Sequence, residues 1–257
     1  KSLARIESQW GSMLARVDIT ESQQAESLFI PMHWTAQLSS RGRVGAVVNP
    51  VFDPLSGQPE SKQTPVRIKA YQPGWYAMVL SRDPMETDGY EYRVTVKGER
   101  YYRYEIAADS APEEWRQLVR QLLAEEPDGE NEWIEYLDES AGFYRGARIW
   151  DKKLQSCVFI SPSWELPDPG WLSTLFLQDE LSKEERLSLL TGLPPKGQED
   201  AGQLICACFS VGEKTILKAI EENSLENVDQ IGSCLSAGTG CGSCIPELKQ
   251  LLLRKVS

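Results

Sequence analysis

The sequence predicts an α+β fold in three parts, and three observations carry that prediction. Short β-like runs separated by turn residues fill the chain to about residue 74. From 75 to 192, strand-like hairpins alternate with amphipathic helical stretches. After a Pro/Gly-rich linker at 193–203, the last part (204–257) is helical and holds four cysteines in two close pairs.

At 257 residues the chain is long enough to bury several cores, and its aromatic content is that of a folded protein. The net charge of -11 and pI near 4.8 argue against a nucleic-acid backbone or an anionic membrane as partner. No apolar run approaches the about eighteen residues of a membrane span, and no charged-then-apolar leader precedes the first strand-like run. The first residue is Lys1, which reads as a processing site or as the interior of a longer polypeptide. Six cysteines are too few for a secreted disulfide scaffold, and four cluster with ligand spacing. A cytoplasmic setting is therefore expected.

Within the first part, Met13 to Ile19, Ser27 to Ile30 and Pro65 to Ala70 read as strands. The Gly/Pro/Asn/Asp-rich stretch from Arg41 to Thr64 reads as a long irregular loop, of the kind that is functional when found in a compact domain. In the middle part, Arg93 to Gly98 and Tyr102 to Ala107 form a hairpin pattern, followed by a helix entered at Pro112 with Trp115, Leu118, Val119, Leu122 and Leu123 on one face. A second hairpin pattern, Tyr144 to Trp150 and Leu154 to Ile160 around Asp151-Lys152, again precedes a Pro-led helix containing Trp171. The two units hint at a repeated element and carry no metal, nucleophile or phosphate motif. In the last part, Ile216, Ala219 and Ile220 share one helical face, Asn227 caps a second helix with Val228, Ile231 and Leu235, and Pro246 starts a third carrying Leu248, Leu251 and Leu252.

The cysteines read Cys206-Ala-Cys208, then 32 residues, then Cys241-Gly-Ser-Cys244. Both pairs lie at loop-to-helix joins, where unpaired N–H groups favour thiolate charge. Gly238, Gly240 and Gly242 let the second loop wrap a centre and aim backbone N–H groups at sulfur. Four thiolates suit a tetrahedral zinc or a [2Fe–2S] cluster, and the C-x-C half favours iron–sulfur. Cys234 follows Ile231 by three residues and reads as a small buried hydrophobe, while Cys157 sits in Val/Phe/Ile strand sequence and reads as inert core.

The stretch Leu204-Ile-Cys206-Ala-Cys208-Phe-Ser-Val-Gly212, with Ile231-Gly232 and Ala237-Gly-Thr-Gly-Cys241-Gly-Ser-Cys244-Ile-Pro-Glu-Leu248, resembles the bacterioferritin-associated-ferredoxin type of [2Fe–2S] domain. That module also occurs appended to assimilatory nitrate and nitrite reductases. The resemblance implies Cys206, Cys208, Cys241 and Cys244 as cluster ligands.

Near the front stand Phe29-Ile-Pro-Met-His33-Trp34 and Asp53-Pro-Leu-Ser-Gly57-Gln58-Pro59-Glu60-Ser61-Lys62-Gln-Thr-Pro-Val66. Taken alone, a histidine beside Trp34 is a satisfied core or turn residue, and the charged set is a solvated loop. Together these segments resemble the C-terminal dinucleotide-binding domain of molybdopterin oxidoreductases, specifically of the assimilatory nitrate reductase type. In that family the domain is a β-barrel whose loops hold the guanine dinucleotide ends of a bis-molybdopterin cofactor. The resemblance implies a partial β-barrel over 1–74, with His33, Asn49, Ser61 and Lys62 toward the cofactor. A pyrophosphate calls for a cation and oriented N–H donors spread over such a loop. The family's Asn-x-Leu-Thr-Asn-Pro reads Gly45-Ala-Val-Val-Asn49-Pro50 here, so Gly45 replaces the first Asn and Asn49 matches the later one.

The two resemblances, in this order, imply the C-terminal part of a molybdenum enzyme that reduces nitrate to nitrite. The implied cofactors are the [2Fe–2S] cluster and a molybdopterin guanine dinucleotide (Mo-bis-MGD) shared with upstream domains, where a [4Fe–4S] cluster is also expected. The implied partners are those upstream domains and an electron donor such as a ferredoxin, a flavodoxin or an NADH-dependent reductase subunit. No catalytic acid, base or nitrate ligand is identifiable in this chain. The middle part is expected to position the terminal cluster. The alternatives are a separate, non-catalytic electron-transfer or docking subunit, and a zinc-stabilised scaffold.

Overall fold

A computed structural model describes residues 2–19, 23–32, 34–60, 63–123, 131–195, 201–202, 204–206, 209, 211–240, 242 and 244–254. Strands β1 (Ser2–Glu7) and β2 (Ser12–Val17) form an antiparallel hairpin, and β3 (Arg67–Tyr71) pairs with the other side of β1. Period-2 alternation sends Leu3 and Leu14 to one face, where they pack with Tyr76, Tyr92, Val94 and Ala107 of the middle part. Ile6 and Met13 point the other way and are covered by Val47, Val44 and Ile30 of the long loop. The sheet stays open, with the order β2-β1-β3, and no sheet among the described residues closes into a barrel.

The strand expected at Ser27 to Ile30 does not form. Leu28 and Phe29 are consecutive and both exposed, so the run lacks the alternation that a half-buried strand needs, and Pro31 withholds a ladder donor. Only Ile30 reaches a core. The long loop is irregular as expected, apart from one 3₁₀ turn at Val44–Ala46 and a bridge between Phe52 and Pro59.

The middle part is a six-stranded antiparallel sheet of β4 (Trp75–Ser81), β5 (Tyr92–Lys97), β6 (Tyr102–Ala108), β7 (Glu132–Asp138), β8 (Phe143–Trp150) and β9 (Lys153–Ser161), in the order β5-β6-β4-β9-β8-β7. All seven residues of β4 are buried, because helices cover both faces of the sheet beside it and the first sheet covers Tyr76. Helix α1 (Trp115–Leu122) packs Val119 and Leu122 on Trp75, Ala77 and Val79. Helices α2 (Pro169–Leu175) and α3 (Lys183–Thr191) pack Leu172, Leu175 and Leu189 on Met78, Leu80 and Phe159 of the opposite face. Fully burying each such aliphatic or Phe side chain contributes roughly 1.5–3 kcal/mol.

The two hairpins flank β4 with their second strands, β6 and β9, innermost. The helix after each hairpin goes to the opposite face from the other, so the repeat hinted at by the sequence is an arrangement about β4. Asp151 and Lys152 both have positive φ, 47° and 65°, as a two-residue hairpin turn of this twist requires. Asp168 caps α2 by accepting from the Gly170 N–H at 2.7 Å, and Ser182 with Glu185 forms a capping box on α3.

The last part pairs β10 (Leu204–Cys206) with β11 (Val211–Gly212) and gathers α4 (Glu213–Glu222), α5 (Val228–Leu235) and α6 (Ile245–Arg254). Its core joins Ile216, Ile220, Ile231, Leu248 and Leu251 with Cys206 and Cys244. Asn227 accepts from the Gln230 N–H at 3.0 Å, the cap that its position predicts. No helix among the described residues is long and apolar enough to cross a membrane.

Candidate metal centre and dinucleotide loop

Cys206 ends β10 and Cys244 immediately precedes α6, so the two lie 38 residues apart in sequence but share one core. Both are nearly inaccessible, at 2% and 5% exposure, and neither forms a disulfide. Their thiols hydrogen-bond to each other, and the Cys244 sulfur also accepts from the backbone N–H of Gly238 and from its own. Burial first, and then the hydrogen bond and charge of Cys206, push the Cys244 thiol up to about 11. A bound metal reverses that balance, because its charge deprotonates a coordinating thiol outright.

Gly238 reaches this sulfur only because it has φ of +87° and no side chain. A Cβ there would lie 3.1 Å from Leu248 Cδ1 and 3.4 Å from Val228 Cγ1. Gly212 is constrained more tightly: a Cβ would sit 2.1 Å from the Ala201 carbonyl oxygen, which accepts from Lys214 N at the start of α4. Buried, converged sulfurs with N–H donors aimed at them are what a thiolate-ligated cluster requires, so Cys206 and Cys244 fit that group. Cys208 and Cys241 lie outside the described residues. Among the described residues no group of three or more His, Cys, Asp or Glu gathers.

Cys234 is exposed, against the expectation of a buried hydrophobe. The inward stripe of α5 is Val228, Ile231, Gly232 and Leu235, and at 100° per residue Cys234 falls off its side. Cys157 is fully buried in the middle sheet, where desolvation pushes its thiol up, as inert core should be.

Of the expected dinucleotide contacts, His33, Ser61 and Lys62 lie outside the described residues. Asn49 is described, and both ends of its side-chain amide are engaged within the loop. Its Nδ2 donates to Glu60 Oε2 at 3.1 Å, and its Oδ1 accepts from Val51 N at 3.3 Å. Asn49 therefore shapes the loop. A Cβ at Gly45 would meet nothing within 4 Å, so space does not demand the glycine found where the family has Asn. Asp53 accepts from Leu55 N, Ser56 N and Ser56 Oγ at 3.0, 2.7 and 3.0 Å, and the Ser56 bonds above all lower its pKa below 3.8. A cavity of about 200 Å³ opens between Met13, Ile30, Trp34, Tyr92 and Val94, and Gly42 at the start of the long loop also lines it. These residues give the cavity an apolar wall.

Residues 204–254 match the BFD-like [2Fe–2S] binding domain, and residues 1–65 match the molybdopterin dinucleotide binding domain. A nitrate reductase from Klebsiella oxytoca is 33% identical over 99% of this chain, spanning 28% of that protein. The chain is homologous to part of a nitrate reductase. The chain thus covers little more than a quarter of this relative's length. The nitrogen fixation protein NifU of Leptolyngbya boryana is 42% identical over 21% of the chain and 27% of its own length. The assimilatory nitrate reductase electron transfer subunit of Bacillus subtilis is 29% identical over 46% of the chain and 15% of its own. No solved structure matches. This nitrate reductase homologue therefore carries a [2Fe–2S]-binding domain at one end and a molybdopterin-dinucleotide-binding domain at the other.

Sequence reasoning named Gly238 among three glycines able to aim N–H groups at sulfur without singling it out, and read Arg93 only as the start of a strand. Gly238 belongs to a noted glycine-rich loop, but its hydrogen-bonded sulfur depends on the fold. Nothing in the local sequence marks Arg93, whose carbonyl partners Ala36 and Gln37 lie more than fifty residues away.

Proposed function

We propose that this chain is the C-terminal portion of a cytoplasmic, molybdenum-dependent assimilatory nitrate reductase. Its first part, a portion of the family's dinucleotide-binding barrel, anchors the molybdopterin guanine dinucleotide, with His33, Ser61 and Lys62 toward the cofactor and Asn49 holding the loop. Its last part holds a [2Fe–2S] cluster on Cys206, Cys208, Cys241 and Cys244, which accepts single electrons from a ferredoxin, a flavodoxin or an NADH-dependent reductase subunit. The parent reaction is nitrate plus two electrons and two protons to nitrite and water. Molybdenum supplies the oxygen-atom transfer when bound, and the rest of the polypeptide supplies its surroundings. This chain's residues bind, orient and exclude water. Buried Cys206 and Cys244 keep solvent from the sulfurs, and Gly238 N–H supports the thiolate charge.

The observation that carries the reading is the convergence of Cys206 and Cys244 from opposite ends of a C-x-C…C-x-x-C array. The test is visible absorbance, the EPR signal after dithionite, and iron and acid-labile sulfide counts on the intact enzyme, followed by reoxidation with nitrate. Equal iron and sulfide, with nitrate-dependent loss of the reduced signal, are expected. Zinc without sulfide would instead make the last part a zinc-stabilised scaffold and end the redox reading. The similarity to an electron transfer subunit over 46% of the chain favours a second reading, a separate non-catalytic electron carrier or docking subunit. Under that reading, the reduced cluster would reoxidise with nitrate only after a molybdenum-bearing partner is added.

A further inference from the structure

Strand β5 is an edge of the six-stranded sheet, and an edge offers unpaired backbone groups to whatever runs beside it. The segment directly after His33-Trp34 runs there. Ser39 bridges Val94, Thr95 N donates to the Leu38 carbonyl at 2.8 Å, and Ser40 N donates to the Arg93 carbonyl at 3.0 Å. Arg93 adds a side-chain grip that a sheet edge does not require. Its guanidinium donates to the Gln37 carbonyl at 2.9 Å, the Ala36 carbonyl at 3.0 Å and Thr95 Oγ1 at 3.2 Å. The residue is only 9% exposed, and among the described residues no carboxylate pairs with it. Its Nε has no hydrogen-bond partner among the described residues, so the two terminal nitrogens carry the grip: a buried cation donating to two carbonyls of one turn ties that turn to the sheet with charge-assisted bonds. Trp34, one turn earlier, packs on the cluster that includes Tyr92 and Val94 and walls the cavity beside the loop.

We infer that Arg93 is a positioning residue for the dinucleotide site: from the middle part, it fixes the turn that carries Trp34 and so holds one wall of that site. The middle part is then a component of the cofactor-binding end of the molecule. This rests on the proposal that the first part binds the dinucleotide. Arg93→Met keeps the stem's apolar contacts and removes every donor, whereas Arg93→Lys restores one donor at the same place. In the intact holoenzyme, three quantities are read for both variants: dinucleotide retained after gel filtration, hydrogen exchange of the 36–41, Thr95, β4 and β9 amides, and the EPR signal of the reduced [2Fe–2S] cluster.

Arg93→Met is expected to retain at least tenfold less dinucleotide and to exchange the Thr95 and Ser40 amides at least tenfold faster. Its iron–sulfur signal and the protection of the β4 and β9 amides should stay unchanged, and Arg93→Lys should recover part of the retention. Faster exchange with full retention would reduce Arg93 to a structural tie and overturn the inference, as would no change in either. A collapse of β4 and β9 protection in both variants would also overturn it, because the effect would then be global. Absence of dinucleotide from the unsubstituted enzyme would instead overturn the proposed function.

Discussion

Replacing Glu105 by Gln tests how the dinucleotide-binding sheet is held to the middle sheet. Glu105 projects from β6 and is 4% exposed. Its carboxylate meets Arg16 of β2 at 3.2 Å and Arg103 of its own strand at 3.6 Å. At an effective dielectric of 20, each pair has a gross attraction of about 5 kcal/mol, most of which desolvation offsets. The Arg16 side chain is 40% exposed, so solvent screening brings that pair's net worth to about 0.5–1 kcal/mol. The Arg103 side chain is 8% exposed, and its Nε has no hydrogen-bond partner. Removing the Glu105 charge therefore leaves a buried guanidinium without its counter-ion, a loss of about 3–5 kcal/mol. The expected result for Glu105→Gln is a loss of about 3 kcal/mol in urea unfolding followed by near-UV circular dichroism. The corresponding fall in melting temperature is roughly 6–12 °C. The double variant Glu105→Gln, Arg103→Met removes both charges and should regain most of the loss. A single variant costing less than about 1 kcal/mol, or a double variant no better than the single, would refute the argument from buried charge.

Three further outcomes follow from the geometry. Cys206→Ser and Cys244→Ser should each abolish the visible absorbance and EPR signal of the cluster while leaving the dinucleotide content of the holoenzyme unchanged; a full-strength signal in either would remove that residue from the ligand set. Gly238→Ala places a Cβ 3.1 Å from Leu248 at φ of +87°, shifting the N–H away from the Cys244 sulfur. Weaker hydrogen bonding to the thiolate makes reduction harder, so an EPR-monitored redox titration should show a lower midpoint potential, and an unchanged or higher one counts against the bond. Asp53 has a folded-state pKa below 3.8, so its contribution to loop order is present above that value and lost as pH falls through the lowered one. Amide exchange at Leu55 and Ser56, corrected for intrinsic pH dependence, should accelerate only below pH 3.8, and acceleration already at pH 6 would show that Asp53 does not hold the turn.

What could be read locally was read well where the signal is short-range. The hairpin at Asp151-Lys152, the cap at Asn227 and the inward faces of α1 and α4 all follow from residues a few positions apart. Ser27 to Ile30 and Cys234 went the other way for one reason: apolar character alone does not say which side of a short segment finds a partner. The fully buried β4 has no alternation to read, since helices on both faces make every position an inside one.

By itself the sequence determined the α+β class, the C-x-C…C-x-x-C spacing of four cysteines, and the likeness of the two ends to known domains. The α+β class rests on composition, periodicity and turn chemistry, which act within about one element's length, whereas the kinship of the two ends rests on the resemblance of their motifs to known domains. Only the tertiary structure decided that the first sheet stays open against the middle one and that the two hairpins straddle β4. The same holds for Gly238 meeting Cys244 and for Arg93 of the middle part gripping the turn beyond Trp34. Each of these joins residues far apart in the chain, and loop closure, packing and desolvation settle such pairings through the whole fold at once.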